Sequence, residues 1–145
     1  GIGLPGLRLK IYKKFQNLGG KFTSTISKNS EIGHHDTKID IGCNILSGVK
    51  ISNSVSIGKG CLIYYNSIIT HNCEIGNFID ISPSVNLLGR VQISDYAHIG
   101  SNVTILPDIK IGKNSIIGAG AVVTKDVPDN VMVAGIPSKI IKSLK

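Results

Sequence analysis

The stretch "IITHNCEIGNFIDIS" (Ile68–Ser82) places a large aliphatic residue at every sixth position, at Ile69, Ile75 and Ile81. The step continues backwards through Ile63, Ile57, Ile51 and Ile45 to Ile39. It continues forwards through Leu87, Ile93, Ile99, Ile105, Ile111 and Ile117 to Val123. Four residues after each comes a second series of small or β-branched residues, running from Cys43, Val49 and Val55 through Cys61, Ser67, Cys73 and Ile79 to Ala121 and Val127. Ile26 and Ile32 join the first series after a slip of one residue near Lys38. A period of six is neither that of a helix nor that of a hairpin strand. It marks a hexapeptide parallel β-helix.

Each hexad supplies a short strand and a tight turn, and three hexads, 18 residues, close one triangular coil. Inward residues then stack on their counterparts one coil later, about 4.8 Å along the axis, the ordinary spacing of paired strands. Glycines follow the aliphatic at Gly58, Gly76, Gly100, Gly112 and Gly118, where a tight corner is expected. Cys43, Cys61 and Cys73 fall in the small inward series and form no C-x2-C pair, so they read as core thiols in a reducing, cytoplasmic compartment.

Both ends leave the pattern. Leu7, Ile11, Phe15 and Leu18 recur at helical spacing before Gly19 and Gly20, which predicts a short N-terminal helix closing the end of the coil. A basic amphipathic helix of this kind also suits a membrane surface. After Val127 the hexad phase stops at Pro128, and "PDNVMVAGIPSKIIKSLK" is expected to cap the other end. The boundaries predicted are residues 1–25 for helix and link, 26–128 for the β-helix and 129–145 for the cap.

The formal net charge is +7, and its location is informative. Arg8, Lys10, Lys13, Lys14 and Lys21 lie near one end, and Lys139, Lys142 and Lys145 near the other, with no acid among them. Nucleic-acid domains spread cations over a face and add stacking aromatics, so nucleic acid is not an expected partner. No apolar run approaches the ~20 residues of a membrane span, and the N-terminus lacks the apolar segment of a signal peptide.

Four histidines remain. His34 and His35 sit at a corner near the slip and read as solvated turn residues. Zinc sites of the γ-class carbonic anhydrases, which share this fold, draw on several converging histidines including a His-x4-His pair. This sequence has no such pair, so no metal is expected. His71 takes the third place of its hexad, which points outward at a corner, and the residue one coil later is Gly89. A base beside an unshielded backbone N–H suits acyl transfer. A surface histidine beside a corner glycine fits the same geometry.

Three blocks add a resemblance: "IITHNCEIGNFIDISP" (68–83), "IGSNVTILPDIKIGKNSIIGAGAVVTKDVPDN" (99–130) and "VAGIPSKII" (133–141). From about Ile2 to Lys142 the chain resembles the bacterial sugar acetyltransferases that modify nucleotide-activated amino sugars and sialic acids. These include the UDP-4-amino-sugar N-acetyltransferases of the bacillosamine pathway and the O-acetyltransferases of polysialic acid capsules. The resemblance implies a left-handed coil, a homotrimer, acetyl-CoA bound between subunits and an amino or hydroxyl group of a sugar as acceptor. It implies His71 as general base, Gly89 as the N–H facing the thioester oxygen, and Ser101 and Ala119 as acetyl-CoA contacts. Lys139 lies beside the implied CoA-binding end and is expected to meet its phosphates.

Three departures qualify the match. The residue after the base is often acidic in the family and is Asn72 here, which can orient an imidazole without adding charge. A second family histidine at the acetyl donor falls on Asp80, and His98, 18 residues on, should stack beside it. Finally, "GIGLPGLRLKIYKKFQNLGGKF" resembles only the last helix and connection of the family's nucleotide-sugar domain. The reading that follows is acetyl transfer to a sugar; its rival is an inactive β-helix serving as a trimerisation scaffold.

Overall fold

The structure, a computed structural model, describes residues 5–144; Lys145, counted above among the basic residues, and the start of the N-terminal segment lie outside them. A single helix, α1 (Pro5–Asn17), precedes nineteen strands among the described residues, and every hexad strand is two residues long. The strands form three parallel sheets that the chain visits in turn. The first holds Thr25–Ile26, Asn44–Ile45, Leu62–Ile63, Asp80–Ile81, His98–Ile99 and Ile116–Ile117. The second runs from Glu31–Ile32 through Ile68–Ile69 and Asn86–Leu87 to Val122–Val123, and the third from Lys38–Ile39 to Lys110–Ile111. The result is a left-handed parallel β-helix of about six turns.

Register follows the hexads. Asp80 pairs with His98, Asn86 with Thr104 and Glu74 with Gln92, each 18 residues apart. The first coil is one residue longer, because Glu31 pairs with Lys50 while Lys38 pairs with Ser56. The extra residue therefore lies between the second and third strands, around His34–Thr37, as the broken phase predicted. Both predicted series face inward, and from Cys43 to Val127 none of their members is more than 9% exposed. Burying each large aliphatic contributes on the order of 1.5–3 kcal/mol. The two inward serines are satisfied: Ser67 Oγ donates to Ser82 C=O at 2.9 Å and Ser115 Oγ to Pro128 C=O at 2.6 Å.

The corners correct one expectation. Positive φ falls at the fourth place of the hexad, at Gly42, Gly48, Ser54, Gly60, Asn66, Asn72 and their successors, with φ between +54° and +76° up to Gly120. Gly58, Gly76, Gly100, Gly112 and Gly118 are not in that region. They are small for another reason. A Cβ on Gly100 would stand 2.6 Å from Ala119 N, and one on Gly58 2.7 Å from Gly76 C=O, so the next coil passes too close for a side chain.

The N-terminal helix forms but does not close the end. Arg8 donates to the carbonyls of Gly60, Phe78 and Ile79, and Tyr12 meets Phe78 edge-on at 5.3 Å while stacking on Phe22 at 3.9 Å. These partners belong to successive coils, so α1 lies along the flank, and Ile26 at the open end remains 47% exposed. The face that docks carries Pro5, Arg8 and Tyr12; Leu7, Phe15 and Leu18 of the predicted apolar stripe stay exposed. Two specific contacts, an ion pair and an aromatic cluster, outweigh a narrow apolar stripe. At the other end the segment after Pro128 first adds Val131–Ala134 to the first sheet, parallel to Ile116–Ile117, and then folds Lys139–Ser143 back antiparallel. Among the described residues no helix is long and apolar enough to cross a membrane.

Candidate active site

The strand Ile68–Ile69 ends the second side of its coil, and His71 stands two residues on, where the chain turns toward the third sheet. Ile69 is sealed in the core and pins this corner, while the His71 side chain is exposed. Its Nδ1 lies 2.9 Å from Asn72 Oδ1. With the amide oxygen as acceptor, Nδ1 carries the proton and Nε2 keeps its lone pair for outside chemistry. Asn72 can reach back because its own backbone is left-handed, at φ 59°, a conformation that asparagine tolerates well.

Gly89 occupies the same place one coil up. The imidazole lies against it so closely that a Cβ there would meet His71 Cε1 at 2.7 Å and Nε2 at 2.8 Å. The C=O of Gly89 accepts from Asp108 N–H at 3.0 Å, whereas its N–H has no partner among the described residues. One corner thus juxtaposes an oriented imidazole, with Nε2 on the glycine side, and an uncommitted backbone donor. That pairing can remove a proton and steady a developing oxyanion.

The other predicted residues lie elsewhere. Ser101 and Ala119 stack one above the other, with Gly120 N–H bonded to Ser101 C=O at 2.8 Å, but they turn the corner from the first sheet to the second. A full side of the triangle separates them from His71 in the same chain. Lys139 opens the last antiparallel strand on the first sheet and is exposed. Asp80 meets a partner that sequence reading did not foresee. Its carboxylate is buried beneath α1, with Oδ2 3.1 Å from Arg8 Nη1 and Oδ1 3.7 Å from His98 Nδ1. The stacking of His98 on Asp80 is as expected. Burial pushes the Asp80 carboxyl above the usual range, and the charges of His98 and Arg8 pull it back only in part. All three cysteines are buried free thiols, and burial raises Cys73.

Sequence reading passed over one further group at this corner. Arg90 follows Gly89 and places Nε 2.6 Å from Asp108 Oδ1 and Nη2 2.8 Å from Oδ2. The signal was available as opposite charges 18 residues apart.

Comparison with known proteins bears on the fold and the family. Residues 90–125 match the family described as bacterial transferase hexapeptide, six repeats. PerB from Caulobacter crescentus, solved with CoA and GDP-perosamine, is 29% identical; the match has a TM-score of 0.94 and covers 97% of this chain and 68% of that one. WeeI from Acinetobacter baumannii is 30% identical, at a TM-score of 0.93 and with the same coverage. The acetyltransferase domain of PglB from Neisseria gonorrhoeae, solved with acetyl coenzyme A, is 25% identical at a TM-score of 0.91, again covering 97% and 68%. With the repeat and the whole coil in common, the chain belongs to the bacterial hexapeptide-repeat sugar acetyltransferases and is an acyltransferase.

Proposed function

We propose that this protein transfers the acetyl group of acetyl-CoA to an amino or hydroxyl group of a sugar or nucleotide sugar, with His71 as general base. The observation that carries the reading is the His71 imidazole resting on Gly89, with Nδ1 held by Asn72 and Nε2 directed to the glycine side. As the acceptor nitrogen or oxygen attacks the thioester carbon, Nε2 takes its proton. The Gly89 N–H stabilises the oxygen of the tetrahedral intermediate. Collapse breaks the C–S bond, and the CoA thiolate leaves, recovering a proton from the imidazolium. Acetyl-CoA bound to the PglB domain and CoA bound to PerB support the choice of donor.

The wide separation of Ser101 and Ala119 from His71 within one chain supports a shared site. If these residues hold the same acetyl donor, two copies must supply them, and a homotrimer gives each corner a neighbour. Lys139 would then meet a CoA phosphate. Residues 1–25 are read as a remnant of a nucleotide-sugar-binding domain, its helix and link, residues 26–128 as the transferase coil and residues 129–145 as its cap.

The test follows CoA thiol release with UDP-4-amino sugars and sialic acids as acceptors. His71→Ala should lower turnover by roughly 10²–10⁴-fold while the melting temperature and acetyl-CoA affinity hold. An active wild type whose His71→Ala variant is equally fast removes the base. A wild type that neither binds acetyl-CoA nor transfers acetyl leaves the scaffold reading.

A further inference from the structure

We propose that Arg90 binds an anionic oxygen of one of the two substrates, a phosphate or a carboxylate, beside His71 and Gly89. The inference rests on the acetyl-transfer reading for the identity of the substrates, and on three observations for the site.

The first is the backbone. Fourth-place corners in this coil are Gly, Asn, Asp or Ser, with three exceptions: Phe78, Arg90 and Tyr96, at φ 54°, 62° and 64°. Bulky L-residues enter that region at a cost, and such positions concentrate at ligand sites. Phe78 and Tyr96 have a packing reason. Phe78 is 2% exposed beneath Tyr12, and Tyr96 stacks on it at 6.2 Å with Lys113 above. Arg90 has no such cover, its side chain being 53% exposed.

The second is the grip of Asp108. Two parallel bonds hold Nε and Nη2, which fixes the plane of the guanidinium. Nη1 makes no hydrogen bond among the described residues, so one edge of the fork is oriented and unused. An exposed ion pair adds little to stability, too little to account for an unfavourable corner. Preorganising a donor for a ligand gives the strain a use.

The third is position. Arg90 N–H donates to His71 C=O at 3.0 Å, and Asp108 N–H to Gly89 C=O at 3.0 Å. The guanidinium is therefore tied through main-chain bonds to both residues of the corner. CoA carries phosphates, an activated sugar carries a diphosphate and a sialic acid carries a carboxylate, so each substrate can present the required oxygen.

The experiment titrates the full chain, wild type and Arg90→Ala, with CoA, UDP and N-acetylneuraminate by calorimetry. At least one probe should bind the wild type and lose about ten- to hundredfold in affinity in the variant, with part of it kept in Arg90→Lys. Loss on CoA alone assigns the donor; loss on UDP or N-acetylneuraminate assigns the acceptor. If Arg90→Ala fails to fold, Arg90→Gln carries the same expectation. Affinities within twofold for all three probes, or no probe bound by the wild type, overturn the proposal. A wild type that binds a probe through Arg90 yet transfers no acetyl supports it and removes the transfer reading instead.

Discussion

Substituting alanine at Gly89 separates the chemistry of the corner from the stability of the coil. Gly89 is outside the left-handed region, so the backbone accepts a side chain. The new Cβ would lie 2.7 Å from His71 Cε1 and 2.8 Å from Nε2, whereas ordinary contact begins at 3.4 Å, so the ring must withdraw by about 0.6–0.7 Å. The obstacle is the far end of an exposed side chain, and the fold should lose no more than about 0.5 kcal/mol. For catalysis a misplacement approaching 1 Å is worth roughly a hundredfold. Gly100→Ala is the control. Its Cβ would meet Ala119 N at 2.6 Å and Ile117 C=O at 2.8 Å, main-chain atoms that cannot retreat without parting two coils. Overpacking of that kind costs about 1–3 kcal/mol, or several degrees of melting temperature. Thermal unfolding and CoA thiol release on both variants give the answer. A Gly89→Ala protein with wild-type turnover, or one destabilised as much as Gly100→Ala, refutes the reasoning.

Asn72→Glu should raise the basicity of His71 by placing a carboxylate where Oδ1 now meets Nδ1; the acid limb of the kcat/KM profile moves to higher pH with a higher plateau, and an unmoved limb counts against the base. Asp80 has a raised folded pKa, so between the ordinary carboxyl value of about 4 and that raised value the folded chain holds more protons than the unfolded one. The melting temperature of the wild type relative to Asp80→Asn should therefore fall as pH rises through that window, and a flat or rising difference contradicts it. Light scattering at micromolar concentration should give three copies; a monomer would remove the shared site.

The core was legible because its signal is local and repeated. Each inward residue is identified by its neighbours six away, and a single inserted residue shows as a broken phase near Lys38, where the pairing offset does change. The vertical partner of any residue is also legible, since it lies 18 positions on; that is how His71 was matched to Gly89. The placement of α1 was not. It depends on Arg8 reaching Asp80 across 72 residues and on Tyr12 meeting Phe78, and no periodicity relates these positions. Helical spacing pointed to Leu7, Ile11, Phe15 and Leu18, but a repeated apolar face says only that a helix can bury it. The corner glycines were misread for a related reason. Composition marks where a side chain is missing, and only coordinates show whether φ or a neighbouring coil excludes it.

The architecture also favours a corner as the place for the proposed chemistry. Two of the six hexad positions are sealed inside, so reactive groups can stand only on the flat sides or at the turns. At a turn the third and fourth places form vertical columns, and two of them run side by side here: His71 below Gly89, and Asn72 below Arg90 and Asp108. Each column keeps its alignment only while every coil has the same length. A slip of one residue would carry a corner group about 3.3 Å along the chain, several times the misplacement that costs roughly a hundredfold in rate. The coil that is one residue longer lies below His71, and from the Lys38–Ser56 pair up to the pairing of Thr104 with Val122 every offset is 18. Irregularity is thus confined to parts of the chain outside the His71–Gly89 corner, and the uniform stretch contains His71, Asn72, Gly89, Arg90 and Asp108.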